Sequence, residues 1–133
     1  MAEEPAVRLP GVLWHVTVTV HGQPQAADRL QLGLQTMAFS HGIDLCARYS
    51  PDTVELRYWD EGSDCRVVVG HALALWDDYR GEVDLPAWPV VGVEVLDRTS
   101  FRRRFPQGGD PALFAPGVHP FPSPGETDTA TAG

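Results

Sequence analysis

The chain has 133 residues, 43% of them hydrophobic, which is enough for one domain with a modest core. Its net charge of −8 argues against non-specific binding to nucleic acid or to an anionic membrane, since both need basic patches. All ten basic residues are arginine and there is no lysine or asparagine, which excludes a lysine Schiff base and an asparagine-based oxyanion hole.

The spacing of apolar residues changes several times along the chain and predicts four strands and two helices. In chain order the predicted elements are a strand over 12–20, a helix over 26–41, strands over 43–49 and 54–59, a helix over 64–79 and a strand over 89–96. This βαββαβ order is typical of the ferredoxin-like, or split βαβ, fold. We therefore predict an α+β sandwich: a four-stranded antiparallel sheet with two helices on one face.

The first strand is strongly two-sided. Trp14 and three valines point to one face, while His15, Thr17 and Thr19 point to the other. Such alternation is typical of an antiparallel sheet that is covered on one side. We call the side predicted to lack helices the outer face.

The first helix is predicted to have Pro24 at its first position, where the missing N–H is not needed. Gly42 is the expected left-handed residue after its end. Gly33 lies inside the helix and should weaken it by about 1 kcal/mol relative to alanine.

The second helix has a competing interpretation. Val68, Ala72, Leu75 and Trp76 follow helical spacing, and Ser63 or Asp64 can cap the first turn. The run Val67-Val68-Val69-Gly70 is poor helix material, so 65–76 also fits a strand. We favour the helix because the spacing and the cap agree.

The last strand and the tail complete the predicted domain organisation. Val91, Val93 and Val95 are expected to face inward, with a short helical turn after Asp97. Six prolines from Pro106 onward predict a disordered tail over 106–133, following a domain over 12–105 and an N-terminal extension over 1–11. Apolar residues within 112–121 indicate either a docking peptide or a segment that folds back onto the domain.

The cysteines and the N-terminus indicate a cytoplasmic protein. Residues 1–10 lack the apolar region of a signal peptide, and no run is long enough to span a membrane. Cys46, predicted to face outward, and Cys65, at the start of the second helix, are therefore expected to be free thiols.

The outer face is the first candidate site. It should carry an exposed tryptophan and a leucine among charges, which is more apolar than a solvated face requires. We predict an interaction surface there, chiefly for a homodimer; the alternative is an ordinary sheet face with Glu–Arg pairs. The residues of this predicted surface are His15, Thr17, Arg57, Trp59, Glu94 and Leu96.

Two weaker candidates lie elsewhere. His21 and Gly22 form a turn that suits a small ligand, and Arg102, Arg103 and Arg104 could dock an acidic partner. The histidines lack metal-ligand spacing, so no metal, cofactor or catalytic residue is predicted.

Two further interpretations are rejected. His15 and Cys46 would have the third strand between them and would lie about 10 Å apart, which is too far for a nucleophilic dyad. No RNA-binding motif lies on the central strands, so RNA binding is not expected.

Several motifs resemble small uncharacterised bacterial proteins of the ferredoxin-like type. They are an RYW strand (57–59), an LW helix end (75–76), an LPxWxVVGxEVxDR segment (85–98) and a basic finish (102–104). The resemblance covers about ninety residues. It implies the same fold and no particular activity.

These observations favour a non-enzymatic protein-interaction or regulatory module that associates with itself or with an unidentified protein. One alternative is a small dimeric ferredoxin-like enzyme with a pocket between helices and sheet, using His15, His41 or His71 for proton transfer. The other is a small-ligand sensor that binds at Gly22. The enzyme requires a cavity lined by a histidine with a shifted pKa.

Overall fold

A computed structural model describes residues 12–41, 45–106 and 117–121. Its elements, in chain order, are β1 (Val12–His21), α1 (Ala27–His41), β2 (Cys46–Ser50), β3 (Thr53–Gly62), α2 (Cys65–Arg80), β4 (Val90–Asp97), α3 (Arg98–Arg104) and β5 (Gly117–Pro120). The α+β class and the βαββαβ order of the first six elements are confirmed. In the described part of the chain, no helix is long and apolar enough to cross a membrane.

The sheet has five strands in the order β4-β1-β3-β2-β5. The first four pair antiparallel, whereas β5 pairs parallel to β2. The predicted four-stranded antiparallel sheet is therefore corrected to a mixed five-stranded one. The backbone N–H of Gly117 donates to the Leu45 carbonyl at 2.9 Å, and that of Phe121 donates to the Tyr49 carbonyl at 2.7 Å.

Strand β5 lies within the stretch predicted to be a disordered tail. Val118 packs against the core, and the guanidinium of Arg48 lies 4.9 Å from the centre of the Phe121 ring. Residues 117–121 thus fold back onto the domain, which was one of the two alternatives for the apolar segment 112–121. Residues 1–11, 107–116 and 122–133 lie outside the described residues.

Helices α1 and α2 enclose the core against one face of the sheet. The alternation in β1 is confirmed, since Val16, Val18 and Val20 are fully buried there. Leu30 and Leu34 of α1 complete this side of the core. The core therefore lies on the face of the sheet that the alternation of apolar residues predicts.

The helical interpretation of 65–76 is confirmed. Asp64 is the N-cap of α2, and its carboxylate accepts hydrogen bonds from the N–H groups of Arg66 and Val67. Trp76 is fully buried, donates from Nε1 to the Pro86 carbonyl at 2.9 Å, and stacks on Trp88 with 6.3 Å between ring centres.

Helix α1 begins three residues later than Pro24, so the placement of that proline at the first helical position is wrong. Residues 22–25 form a loop instead. Gly22 N–H donates to the Asp52 carbonyl at 3.0 Å, and Gln25 N–H donates to the Pro51 carbonyl at 2.8 Å. The expected helix end at Gly42 lies outside the described residues.

Gly33 allows a loop to approach α1 closely. A Cβ at this position would lie 2.7 Å from Leu85 Cδ2 and 2.9 Å from the Asp84 carbonyl oxygen. The Arg29 guanidinium then reaches the Asp84 carboxylate through two hydrogen bonds of 2.7 Å. The helix weakening expected of this glycine is thus offset by packing of the 84–85 loop.

A bulge shifts the register of β4. Thr19 faces Gly92, but Val20 faces Val90, so one extra residue lies between them. Val90 consequently packs against the core, while Val91 is 59% exposed. The expectation that Val91 faces inward is corrected; Val93 and Val95 do pack against the core.

Candidate functional site

Helix α3 lies on the outer face of the sheet and is fixed to β4 at both ends. Asp97 caps it by accepting from Ser100 N–H at 2.7 Å, and Arg104 Nη1 donates to Glu94 Oε2 at 2.7 Å. The helix follows β4 without a loop, so its seven residues turn back over the sheet immediately.

The side chain that α3 inserts into the sheet is Phe101, which is 9% exposed. Its ring centre lies 4.5 Å from that of His15 and 4.9 Å from that of Trp59, and Phe105 follows at 5.0 Å from Phe101. His15 and Trp59 meet edge to face at 5.1 Å. These four rings, His15, Trp59, Phe101 and Phe105, form the aromatic cluster.

His15 is held neutral inside this cluster. Its pKa is lowered from 6.5 to about 4, chiefly by burial and also by the positive charge of Arg57, while the negative charge of Glu94 opposes part of this shift. The residue is only 4% exposed. A protonated imidazole here would be a charge removed from water, which the surroundings disfavour.

The centre of the outer face is closed rather than open. Arg57 Nε donates to Glu55 Oε1 at 3.0 Å, and Arg57 Nη1 donates to Thr17 Oγ1 at 3.4 Å. Thr17 is 8% exposed and Cys46 is 4% exposed, and burial raises the pKa of the Cys46 thiol. The prediction that His15 and Thr17 offer a free contact surface is therefore corrected, because their side chains are buried.

The two cysteines differ in accessibility. Cys46 faces Arg57 in the strand register, which puts it on the predicted side of the sheet, but it is buried. Cys65 is exposed at the start of α2. Neither Cys46 nor Cys65 is part of a disulfide bond.

Beside the aromatic cluster, α3 and the adjoining ends of β1 and β3 enclose a groove of about 570 Å³. We call it the α3 groove. Its walls combine five apolar residues with two arginines: Leu13, Trp59, Phe101, Phe105, Pro106, Arg98 and Arg102. Trp59 is 36% exposed here, so the groove is the accessible remainder of the predicted interaction surface.

The other predicted surface residues lie at the margin of this arrangement. Glu94 is engaged by Arg104, and Leu96 is half-buried opposite His15 in the β1–β4 register. The sequence interpretation missed Phe101, Phe105 and Arg98. The sequence does contain a signal for these residues: Arg98 and Arg102 are four positions apart, as are Phe101 and Phe105. This spacing places each pair on one side of a helix.

The arginine triplet is divided among three environments. Arg102 lines the α3 groove, and Arg104 pairs with Glu94. Hydrogen bonds from Ser100 lower the pKa of Asp97, and the nearby charge of Arg103 adds to this effect. Only Arg102 of the three thus contributes to the groove.

The turn predicted as a ligand site lines a second cleft, of about 670 Å³, between β1 and α1. A Cβ at Gly22 would overlap the Trp88 ring, whose Nε1 donates to the Gln23 carbonyl at 3.0 Å. His21 Nδ1 lies 3.1 Å from Thr53 Oγ1. The glycine at this position is therefore accounted for by its packing against Trp88.

The remaining histidine candidates, His41 and His71, form no composite site within the described residues. His71 Nδ1 lies 2.8 Å from Asp60 Oδ2 at the surface. The side chain of His41 is not among those described. Within residues 12–41, 45–106 and 117–121, no group of three His, Cys, Asp or Glu side chains is arranged to hold a metal ion.

Comparisons with known proteins identify a matching family and one solved structure that is similar to this chain. A family model described as a domain of unknown function (DUF8830) matches residues 13–112, which include the RYW strand and the 85–98 segment. No curated protein matches. An acylphosphatase from Coxiella burnetii is similar at 16% identity and a TM-score of 0.40, over 82% of this chain and 93% of that one. This similarity carries no argument about function.

Proposed function

The chain belongs to the DUF8830 family of domains of unknown function, and we propose that it is a non-enzymatic protein-interaction module that docks a partner in the α3 groove. The observation that carries this proposal is the combination of exposed aromatic and arginine side chains in one groove. Tryptophan, phenylalanine and arginine are enriched at protein interfaces, and tryptophan and arginine dominate their binding energy.

The groove is formed by the single chain, without a partner. Phe101 forms its floor by packing on His15 and Trp59, and Asp97 and Arg104 fix the two ends of α3. A preformed groove needs little rearrangement on binding, so more of the contact energy appears as affinity. This supports docking of an apolar group between Trp59 and Phe105.

The enzyme alternative is less well supported. It requires an accessible cavity lined by a histidine with a shifted pKa. His15 has the shifted pKa, but it lies beneath Phe101 and lines neither of the two clefts described above. Its neutral imidazole is instead part of the support for the groove.

Selection from a library of random peptides tests the proposal without assuming a partner. We expect enriched peptides to bind the wild type and to bind Phe105→Ala about tenfold more weakly, a difference of 1.4 kcal/mol. The matched control is Phe39→Ala: Phe39 is 90% exposed on α1, on the opposite side of the sheet. Selected peptides that bind all three proteins equally, or no enrichment at all, would contradict the proposal.

Self-association is a second candidate, favoured by the exposed apolar surface of the groove itself. Leu13 is 40% exposed and Trp59 is 36% exposed, and both line the groove. Light scattering should then give twice the monomer mass for the wild type and the monomer mass for Trp59→Glu. Phe39→Glu should remain dimeric. A monomeric wild type would reject self-association and leave the groove to another protein.

A further inference from the structure

We infer that the segment docked in the α3 groove carries carboxylates beside a bulky apolar side chain. This inference deepens the proposed function by naming the chemistry of the partner, and it rests on that function. It follows from the charges around the groove, which differ sharply from the acidic balance of the whole chain.

The positive charge of the groove comes from two arginines on one side of α3. Arg98 and Arg102 are four residues apart on the helix, which places their Cβ atoms about 6 Å from each other. Both are exposed and both line the groove. Neither forms an ion pair with any residue in the described ranges.

By contrast, two exposed arginines elsewhere have acidic partners: Arg29 pairs with Asp84, and Arg104 pairs with Glu94, each at 2.7 Å. The two groove arginines therefore retain donors for an external acid. Guanidinium groups bind carboxylates through paired hydrogen bonds, which favours an acidic segment over other polar ones.

The positions of these charges also orient the occupant. Glu61 lies opposite Leu13 in the β1–β3 register, on the sheet side of the groove, whereas Arg98 and Arg102 lie on the helix side. A bound segment is thus expected to place its carboxylates over α3. Its apolar side chain then contacts Trp59 and Phe105.

The net charge of −8 does not prevent this recognition. At physiological ionic strength, charges separated by more than about 8 Å are largely screened, so the nearby arginines outweigh distant carboxylates. Because the attraction is local and exposed, the affinity should fall as salt is added.

Fluorescence anisotropy with defined peptides tests the inference on the chain of 133 residues. The probe is a fluorescein-labelled peptide with one phenylalanine flanked by glutamates; its controls carry lysines for the glutamates or alanine for the phenylalanine. We expect the acidic probe to bind wild type at least tenfold more tightly than either control, and Arg102→Glu to weaken it about tenfold. Arg103→Glu is the matched control, since Arg103 is next to Asp97 and does not line the groove.

Each outcome has a definite meaning. Equal binding of the lysine and glutamate peptides, or an unchanged affinity in Arg102→Glu, would overturn the acidic preference. If library-selected peptides still depend on Phe105 in that case, the proposed function stands and only this inference fails. If no peptide of either kind depends on Phe105, both fail. Arg102→Gln, which removes the charge without reversing it, should give an intermediate loss.

Discussion

Lowering the pH from 7 to 4 is expected to reduce the free energy of unfolding by about 3 kcal/mol through His15 alone. The folded protein holds the pKa of this imidazole at about 4, against 6.5 ordinarily. Below pH 6.5 the unfolded chain therefore gains a proton at His15 that the folded protein does not accept. Each pH unit in that window removes about 1.4 kcal/mol of stability, until the folded state also protonates near pH 4.

Urea unfolding at a series of pH values measures this effect, with His15→Gln as the control. The variant keeps a polar side chain that does not titrate, so its stability should vary less between pH 6.5 and pH 4. Asp52, Asp64 and Asp84, whose hydrogen bonds lower their carboxyl pKa values, are the same in both proteins and their contributions cancel. Parallel pH profiles for the two proteins would show that His15 is not held neutral by its surroundings.

Replacement of Trp76 by alanine is expected to lower the free energy of unfolding by about 3–5 kcal/mol. The side chain is fully buried, stacks on Trp88 and donates to the Pro86 carbonyl. Its loss leaves a cavity and an unsatisfied carbonyl between α2 and residues 85–89, the crossover that leads into β4. For a domain stabilised by about 5–15 kcal/mol, this is a large share of the total.

Trp76→Phe tests how much of this loss comes from the missing ring volume. It retains a six-membered aromatic ring and removes the five-membered ring with its N–H, so its loss of stability should be clearly smaller than that of Trp76→Ala. Equilibrium unfolding in urea, monitored by circular dichroism, gives both values. An alanine variant destabilised by less than about 1 kcal/mol would mean that the crossover does not depend on this packing.

The sequence predicts the elements that are set by local apolar period. The alternation over 12–20 identifies the buried valines of β1, and the 3.6-residue spacing after Asp64 identifies α2 even though Val67-Val68-Val69 disfavours a helix. The prediction that Val91 faces inward is wrong because a bulge inserts one residue into β4. The bulge arises from the pairing of β4 with β1, and the apolar alternation within β4 does not reveal it.

The site depends on contacts that the period does not encode. A short helical turn is predicted after Asp97, but its position over the outer face depends on the packing of Phe101 against His15 and Trp59. The same is true of β5, whose four residues form a strand through pairing with β2 despite a composition typical of disorder. Composition indicated an exposed outer face where tertiary contacts bury most of it.

Strand β5 also protects the sheet from growing by addition of further strands. Without it, β2 would present a bare row of N–H and C=O groups, a template for aggregation. The N–H groups of Gly117 and Phe121 point to β2, so the backbone groups of Val118 and Pro120 point to the outer side of β5. Pro120 has no N–H to donate there, so the new edge is a poor template for another strand. At the opposite edge, the bulge of β4 distorts the row of backbone groups at Val91, so neither end of the sheet readily recruits a neighbour.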